Sequence, residues 1–186
     1  MSDELNILEN TVRVSFAGVV WSHKIQEKQA DICSRKYQWL ETTRIVASAI
    51  TAVGIITLVF VDELWIKLAS SLISFVTVVI SSLFKSFSTQ ELCAIHKKSA
   101  YTLLTIRDQY QHLLMEIRIG KKSYDELNDE YTKLEEDKHR AYSESPPTSD
   151  KAVELASQAL KVKGDNKYAD DEINSFLPDS LKKGEN

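Results

Sequence analysis

An all-α membrane protein is the fold class this sequence predicts: a two-transmembrane helical hairpin with long cytoplasmic helical extensions. Three observations predict it. Residues 45–61 and 68–84 form two uncharged, strongly apolar runs. Each is roughly seventeen residues, the lower limit of the about 17–25 that an α-helix needs to cross the hydrocarbon core of a bilayer. Only the stretch Asp62-Glu63-Leu64-Trp65-Ile66-Lys67 parts them, and the rest of the chain repeats apolar residues at spacings of three and four. Neither run shows the alternation of a barrel strand, and lipid tolerates no other backbone than helix or closed barrel. A buried hairpin in a soluble core is the competing reading, but two adjacent uncharged runs of near-spanning length are uncommon in soluble domains.

The 186 residues carry a formal net charge of −4, so no global footprint for nucleic acid is present and none is expected as a partner. Local charge is more informative. Lys24, Lys28, Arg35, Lys36 and Arg44 crowd the approach to the first run and Lys85, Lys97 and Lys98 follow the second, whereas the tip has Lys67 alone against Asp62 and Glu63. This bias predicts a multi-pass topology with both termini in the cytoplasm. The acidic start Met1-Ser2-Asp3-Glu4 does not read as a cleavable leader, so the first span would serve as its own insertion signal. Cys33 and Cys93 then lie on the reducing side, where a structural disulfide is not expected.

In chain order, residues 1–22 read as an amphipathic helix through Leu5, Leu8, Val12, Phe16 and Val19, able to pack on protein or on lipid. Residues 23–44 form a stalk helix, with Ile25, Ile32 and Trp39 seven apart, that feeds the first span at 45–61. Tyr37 and Trp39 mark one membrane interface and Trp65, in the extracytoplasmic turn at 62–67, marks the other. The second span, 68–84, continues without Pro or Gly into a cytoplasmic helix over 85–119, predicting one long rod. Its stripe Leu103, Ile106, Tyr110, Leu113 and Ile117 has the spacing of a helix–helix seam, assigned here to homotypic contacts between copies. His96 and Ser99 extend that spacing with polar members, so the seam is expected to loosen near the membrane.

Gly120 ends the helix, and Ser123 with Glu126 forms a capping box for a second cytoplasmic helix over 120–144, with Tyr124, Leu127, Tyr131 and Leu134 on one face. Residues 145–186 begin with the break Ser145-Pro146-Pro147-Thr148-Ser149. A short helix follows whose stripe Ala152, Leu155, Ala156, Ala159 and Leu160 is small enough for close docking, with Gly164 as its stop. The tail's apolar knot, Ile173, Phe176, Leu177 and Leu181, is expected to clip onto the helical body.

No catalytic, cofactor-binding or metal constellation emerges, so the chain does not read as an enzyme. Gly120-Lys121-Lys122-Ser123 lacks the earlier glycine and the preceding strand of a phosphate-binding loop. His23, His96, His112 and His139 show no paired ligand spacing. Asp108 and His112, one turn apart, read as surface electrostatics. The second run holds a better lead, because Ser70, Ser74, Thr77 and Ser81 share one helical face. They either fit against Ala47, Thr51 and Gly54 of the first run and bond back to their own carbonyls, or line a weakly selective water-filled path in an oligomer. The runs hold no fixed charge, which argues against a proton relay.

The order of these elements resembles the SLATT family, the two-transmembrane effector domain of bacterial nucleotide-signalling and antiviral defence systems. The likeness is carried by His23-Lys24-Ile25-Gln26-Glu27-Lys28-Gln29-Ala30, the Tyr37-Gln38-Trp39 approach and the hairpin. It continues through the helix over 91–119, the proline break with the helix over 151–161, and Asp170-Asp171-Glu172-Ile173-Asn174-Ser175-Phe176-Leu177-Pro178. What the resemblance implies is a pore-forming effector of abortive infection that perforates the inner membrane when a separate sensor protein or a nucleotide signal triggers it. The expected partners are thus the lipid bilayer, further copies of the chain and that trigger. A non-conducting, membrane-anchored helical scaffold that recruits a cytoplasmic partner is the alternative.

Overall fold

The computed structural model describes residues 3–60, 63–87, 89–165, 168–178 and 181–182, with the side chains of 54–60, 81 and 83–87 outside the description. Every described element is helical. In chain order they are α1 (Asp3–Phe60), α2 (Leu64–Phe87), α3 (Thr89–Ile119), α4 (Tyr124–Glu144), α5 (Asp150–Ser157), which runs into a π-helical turn (Gln158–Val162), and α6 (Asp170–Phe176). The N-terminal segment, the stalk and the first apolar run thus share one continuous 58-residue helix. No proline interrupts it, and Thr11, Thr43 and Thr51 return their hydroxyls to the carbonyls of Ile7, Trp39 and Ala47 at 2.8–2.9 Å, so they expose no competing polar group. The stretch 68–119, expected as a single rod, is described as two helices, α2 and α3, and residue 88 between them lies outside the described residues.

The core lies between the first half of α1 and α3. Leu8, Val12 and Val19 of α1 meet Leu103, Ile106, Tyr110, Leu113 and Ile117 of α3, with Leu127 and Ala141 of α4 closing the third side. The two long helices run antiparallel, since Glu9 pairs with Arg118 at 3.1 Å while His23 meets Ala100. The N-terminal amphipathic face therefore packs on protein. The seam expected to join copies is instead filled within one chain. Its five side chains are 0–4% exposed, and burying them against a helix that is always present at high effective concentration outcompetes a second molecule.

The connection after α3 follows its local chemistry. Gly120 takes the left-handed conformation (φ 70°) that only glycine adopts without strain, and closes α3 by bonding the Glu116 carbonyl at 3.1 Å. Ser123 and Glu126 make the reciprocal capping box that starts α4. Lys122 spans Glu116 and Glu130, so the stretch reminiscent of a phosphate loop serves as a helix–turn–helix corner. Inside the corner sits Glu135, which accepts from Ser15 (2.6 Å) and Tyr110 (2.7 Å) and pairs with Lys138. Burial opposes its ionisation, but the bonds from Lys138, Ser15 and Tyr110 outweigh it and draw the carboxyl down to about 2. The same contact and burial push the Tyr110 phenol up.

Beyond the prolines, Ala152, Ala156 and Ala159 are buried as α5 and its π turn dock closely on α1, as small side chains allow. Gly164 (φ 73°) ends that unit. The tail departs from expectation: Ile173, Phe176 and Leu181 of the anticipated apolar knot are exposed. A helix of seven residues with three acidic groups in its first turn has too little apolar face to hold itself against the bundle.

The hairpin is α2 beside the second half of α1. Among the described residues no helix is long and apolar enough to cross a membrane. The described side chains take in residues 45–53 of the first run and 68–80 with 82 of the second.

Leu113→Ala is expected to cost about 2–5 kcal/mol of unfolding free energy, whereas Met115→Ala, two residues away at a half-exposed site, is expected to stay within about 0.5 kcal/mol; denaturant titration checks the contrast. The Glu135 carboxyl supplies stability that is complete above its unfolded value of 4.5 and is lost as pH falls toward about 2. Melting curves across that window should flatten in Glu135→Gln, and a variant with the acid sensitivity of the parent would assign it elsewhere.

Candidate functional site: a buried polar layer beside the apolar hairpin

Toward the hairpin the α1–α3 seam changes chemistry. On α1 the inward positions after Val19 are His23, Gln26, Ala30 and Cys33, and on α3 those before Leu103 are Ala100, His96 and Cys93, all buried. The spacing of three and four continues unbroken, so the seam does not loosen where its members turn polar. The stripe Ile25, Ile32 and Trp39 is not the buried face of this segment: Ile25 and Ile32 are half-buried and Trp39 is exposed. The faces diverge because His23 and Gln26 gain buried hydrogen-bond partners on α3, which leaves the neighbouring isoleucines beside the seam.

The hydrogen bonds of this layer order its tautomers. The Pro146 carbonyl can only accept, so the Gln26 amide turns its Nε2 toward it at 3.0 Å and its Oε1 toward His96. His96 must then donate from Nδ1, across 2.7 Å. His23 likewise donates from Nδ1 to the Ala100 carbonyl at 2.8 Å, leaving its Nε2 3.6 Å from Glu27. Burial holds both histidines below their ordinary value, for His23 against the opposing pull of the Ala100 carbonyl and Glu27. Lys24, only 5% exposed, is held by Glu27 at 2.9 Å and by Asp165, beyond the π turn, at 3.3 Å. Burial alone would lower Lys24, and the two carboxylates reverse it into a rise.

Two further ties fasten the C-terminal segment to the same place. Gln29 accepts from the backbone N–H (3.0 Å) and hydroxyl (2.7 Å) of Ser149, the residue that caps α5. Lys161 stands 5.4 Å over the Trp21 ring. Four separate parts of the chain, α1, α3, the proline segment and the π turn, therefore meet in one polar layer, with the Cys93 thiol raised by burial and by the Cys33 thiol at its side. Nothing in this arrangement activates a nucleophile. It joins elements, and its buried imidazoles make the joint sensitive to protons.

The sequence had pointed elsewhere, to the hairpin. There Ala47 and Thr51 are the half-buried positions of residues 45–53, and Ser70, Ser74 and Thr77 are half-buried on α2 with Ile66, Ile73 and Ile80. Thr77 returns its hydroxyl to the Ile73 carbonyl at 2.9 Å. The hydroxyl face thus occupies the sheltered side of α2, where small side chains let helices approach, while Leu68, Phe75, Val78 and Val79 are exposed and Leu72 and Val76 line an open cleft toward α1. Gly54 and Ser81 lie outside the described side chains. Tyr37 is half-buried, while Trp39 and Trp65 are 68% and 79% exposed at either end of the apolar stretch. Asp108 pairs with Arg107 and His112 with Glu116, so those two do not form a pair. The polar layer itself was missed, although His23, Gln26, Ala30 and Cys33 extend the register set by Leu8, Val12 and Val19.

The described residues thus form a helical bundle that carries an apolar two-helix hairpin, with a buried polar layer where the two meet. The chain belongs to the SMODS and SLOG-associating 2TM effector domain family 4, whose profile matches residues 8–172. No curated protein and no solved structure shows significant similarity to it.

The histidines carry a pH dependence of definite sign. Their folded values lie below 6.5, so the native state binds fewer protons than the unfolded chain, and the stability they permit is complete above 6.5 and lost as pH falls below it. Amide protection at Ser145, Thr148 and Ser149, corrected for the intrinsic pH dependence of exchange, should fall as pH drops from about 7.5 to about 5.5 in the parent, where 6.5 is the ordinary histidine value. His23→Gln with His96→Gln, which keep a donor but do not titrate, should remove that loss of protection.

Proposed function

We propose that this chain is an oligomeric membrane effector of bacterial anti-phage defence, which opens a conducting path in the inner membrane when a separate sensor protein or nucleotide signal releases it. The supporting observation is the pair of uncharged runs at 45–61 and 68–84 in a member of a family described as a 2TM effector domain. Read as spans, the runs place both termini in the cytoplasm by their flanking lysines and arginines, with the bundle standing on the cytoplasmic side. A single hairpin cannot enclose a path, so conduction requires several copies. The five-residue α3 seam is occupied within the chain, and assembly falls to the outward faces of α1 and α2.

The wettable side of α2 is the one bearing Ser70, Ser74, Thr77 and Ser81. Its described members Ser70, Ser74 and Thr77 are half-buried at rest, and a conducting state turns this face to the axis of the assembly. The polar layer is placed to govern that turn, because it ties α1 and α3 to the proline segment at the base of the hairpin. The same inward hydroxyls also suit the second reading, a tether that passes no current, in which they are permanent packing. Conductance separates the two.

Ser74→Leu with Thr77→Leu should leave insertion intact while abolishing dye or ion leakage from liposomes and toxicity in cells. Leakage equal to that of the parent would take the hydroxyl face out of the path, and an assembled parent that passes no current in bilayer recordings would establish the tether.

A further inference from the structure

The groove that separates α1 from α2 has a chemistry of its own. Trp39, Thr43, Val46 and Ile50 on α1 face Leu72 and Val76 on α2 across an open cleft of about 490 Å³, within the about 300–1,000 Å³ of small-molecule sites. Its walls are apolar, and the Thr43 hydroxyl is already committed to the Trp39 carbonyl at 2.8 Å. One turn nearer the bundle, Arg35 and Lys36 are exposed. They precede Trp39 by four and three positions, which puts both cations on its side of the helix. Among the described residues neither makes an ion pair.

We propose that this groove binds an anionic glycerophospholipid of the cytoplasmic leaflet, with an acyl chain between α1 and α2 and the phosphate held by Arg35 and Lys36. The inference rests on the membrane reading above. Because α1 is unbroken from the bundle through residue 50, the cations and the apolar cleft keep a fixed separation, as headgroup and chain do in one lipid molecule. A second copy is the poorer occupant. Copies in a closed ring within one membrane share their orientation, so each would bring its own Arg35 and Lys36 to the same depth, like charge against like. A lipid phosphate brings the opposite charge, and juxtamembrane cations recruit such headgroups. The long stems of both side chains reach along apolar surface while their charges stay at the headgroup level.

The test uses the full chain, purified in detergent, stripped of lipid and titrated with phosphatidylglycerol or phosphatidylcholine of identical acyl chains, with bound lipid counted by native mass spectrometry. The parent should prefer phosphatidylglycerol by roughly tenfold or more, as two cations predict. Arg35→Gln with Lys36→Gln should bring the two lipids to equal affinity, and Val76→Trp, which fills the cleft with an apolar side chain, should lower retention of both. Equal affinities in the parent, or a preference that survives loss of both cations, would overturn the assignment. So would Val76→Trp changing the assembly mass with lipid retention unaltered, since the cleft would then belong to another copy. A chain that stays dissolved without detergent and fails to float with phosphatidylglycerol vesicles would remove the membrane reading itself, an outcome distinct from lost headgroup selectivity.

Discussion

The structure depends on the antiparallel seam between α1 and α3. It buries Leu8, Val12 and Val19 against Leu103, Ile106, Tyr110, Leu113 and Ile117, and α4, the proline segment and α5 dock against it. α4 closes over its apolar end, where Glu135 gathers Ser15, Tyr110 and Lys138, and the proline segment and α5 lock onto its polar end. Because helices three and four residues per contact must stay aligned over many turns, a shift of one position would misplace the apolar core and the polar layer together. Polar groups within such a seam restrict register more sharply than apolar ones, since a slipped amide or imidazole is left buried without a partner. Gln26 is the clearest instance, bound on one side by His96 and on the other by Pro146.

Much of this was legible in the residues. The all-helical character, the Ser123–Glu126 capping box, the stops at Gly120 and Gly164 and the close docking of an alanine stripe all follow from local chemistry that tertiary contacts did not override. Ala47 and Thr51, small residues at helical spacing in an apolar run, are the half-buried positions among residues 45–53. What sequence periodicity does not specify is the partner. The α3 stripe has the spacing of a seam whether the opposing helix belongs to the same chain or to another, and only the matching stripe on α1 decides it.

The polar layer was obscured for a related reason. Apolar periodicity follows the seam as far as Val19 and then gives way to His23, Gln26, Ala30 and Cys33, while Ile25, Ile32 and Trp39 offer a rival stripe on the adjoining face. Hydrophobicity selects the rival. Hydrogen-bond satisfaction selects the residues observed, because His23 finds the Ala100 carbonyl on α3 and Gln26 finds His96 and the Pro146 carbonyl. The tail erred in the other direction: its apolar residues were visible, but seven helical residues cannot gather them on one face.

The length of α1 has a mechanical consequence. At about 1.5 Å per residue its 58 residues make a shaft of roughly 87 Å, and no proline supplies a joint along it. A sharp local kink would strain main-chain hydrogen bonds, so the shaft favours tilt or rotation over folding at a single point. The bundle end and the apolar end are thereby joined by one covalently continuous lever.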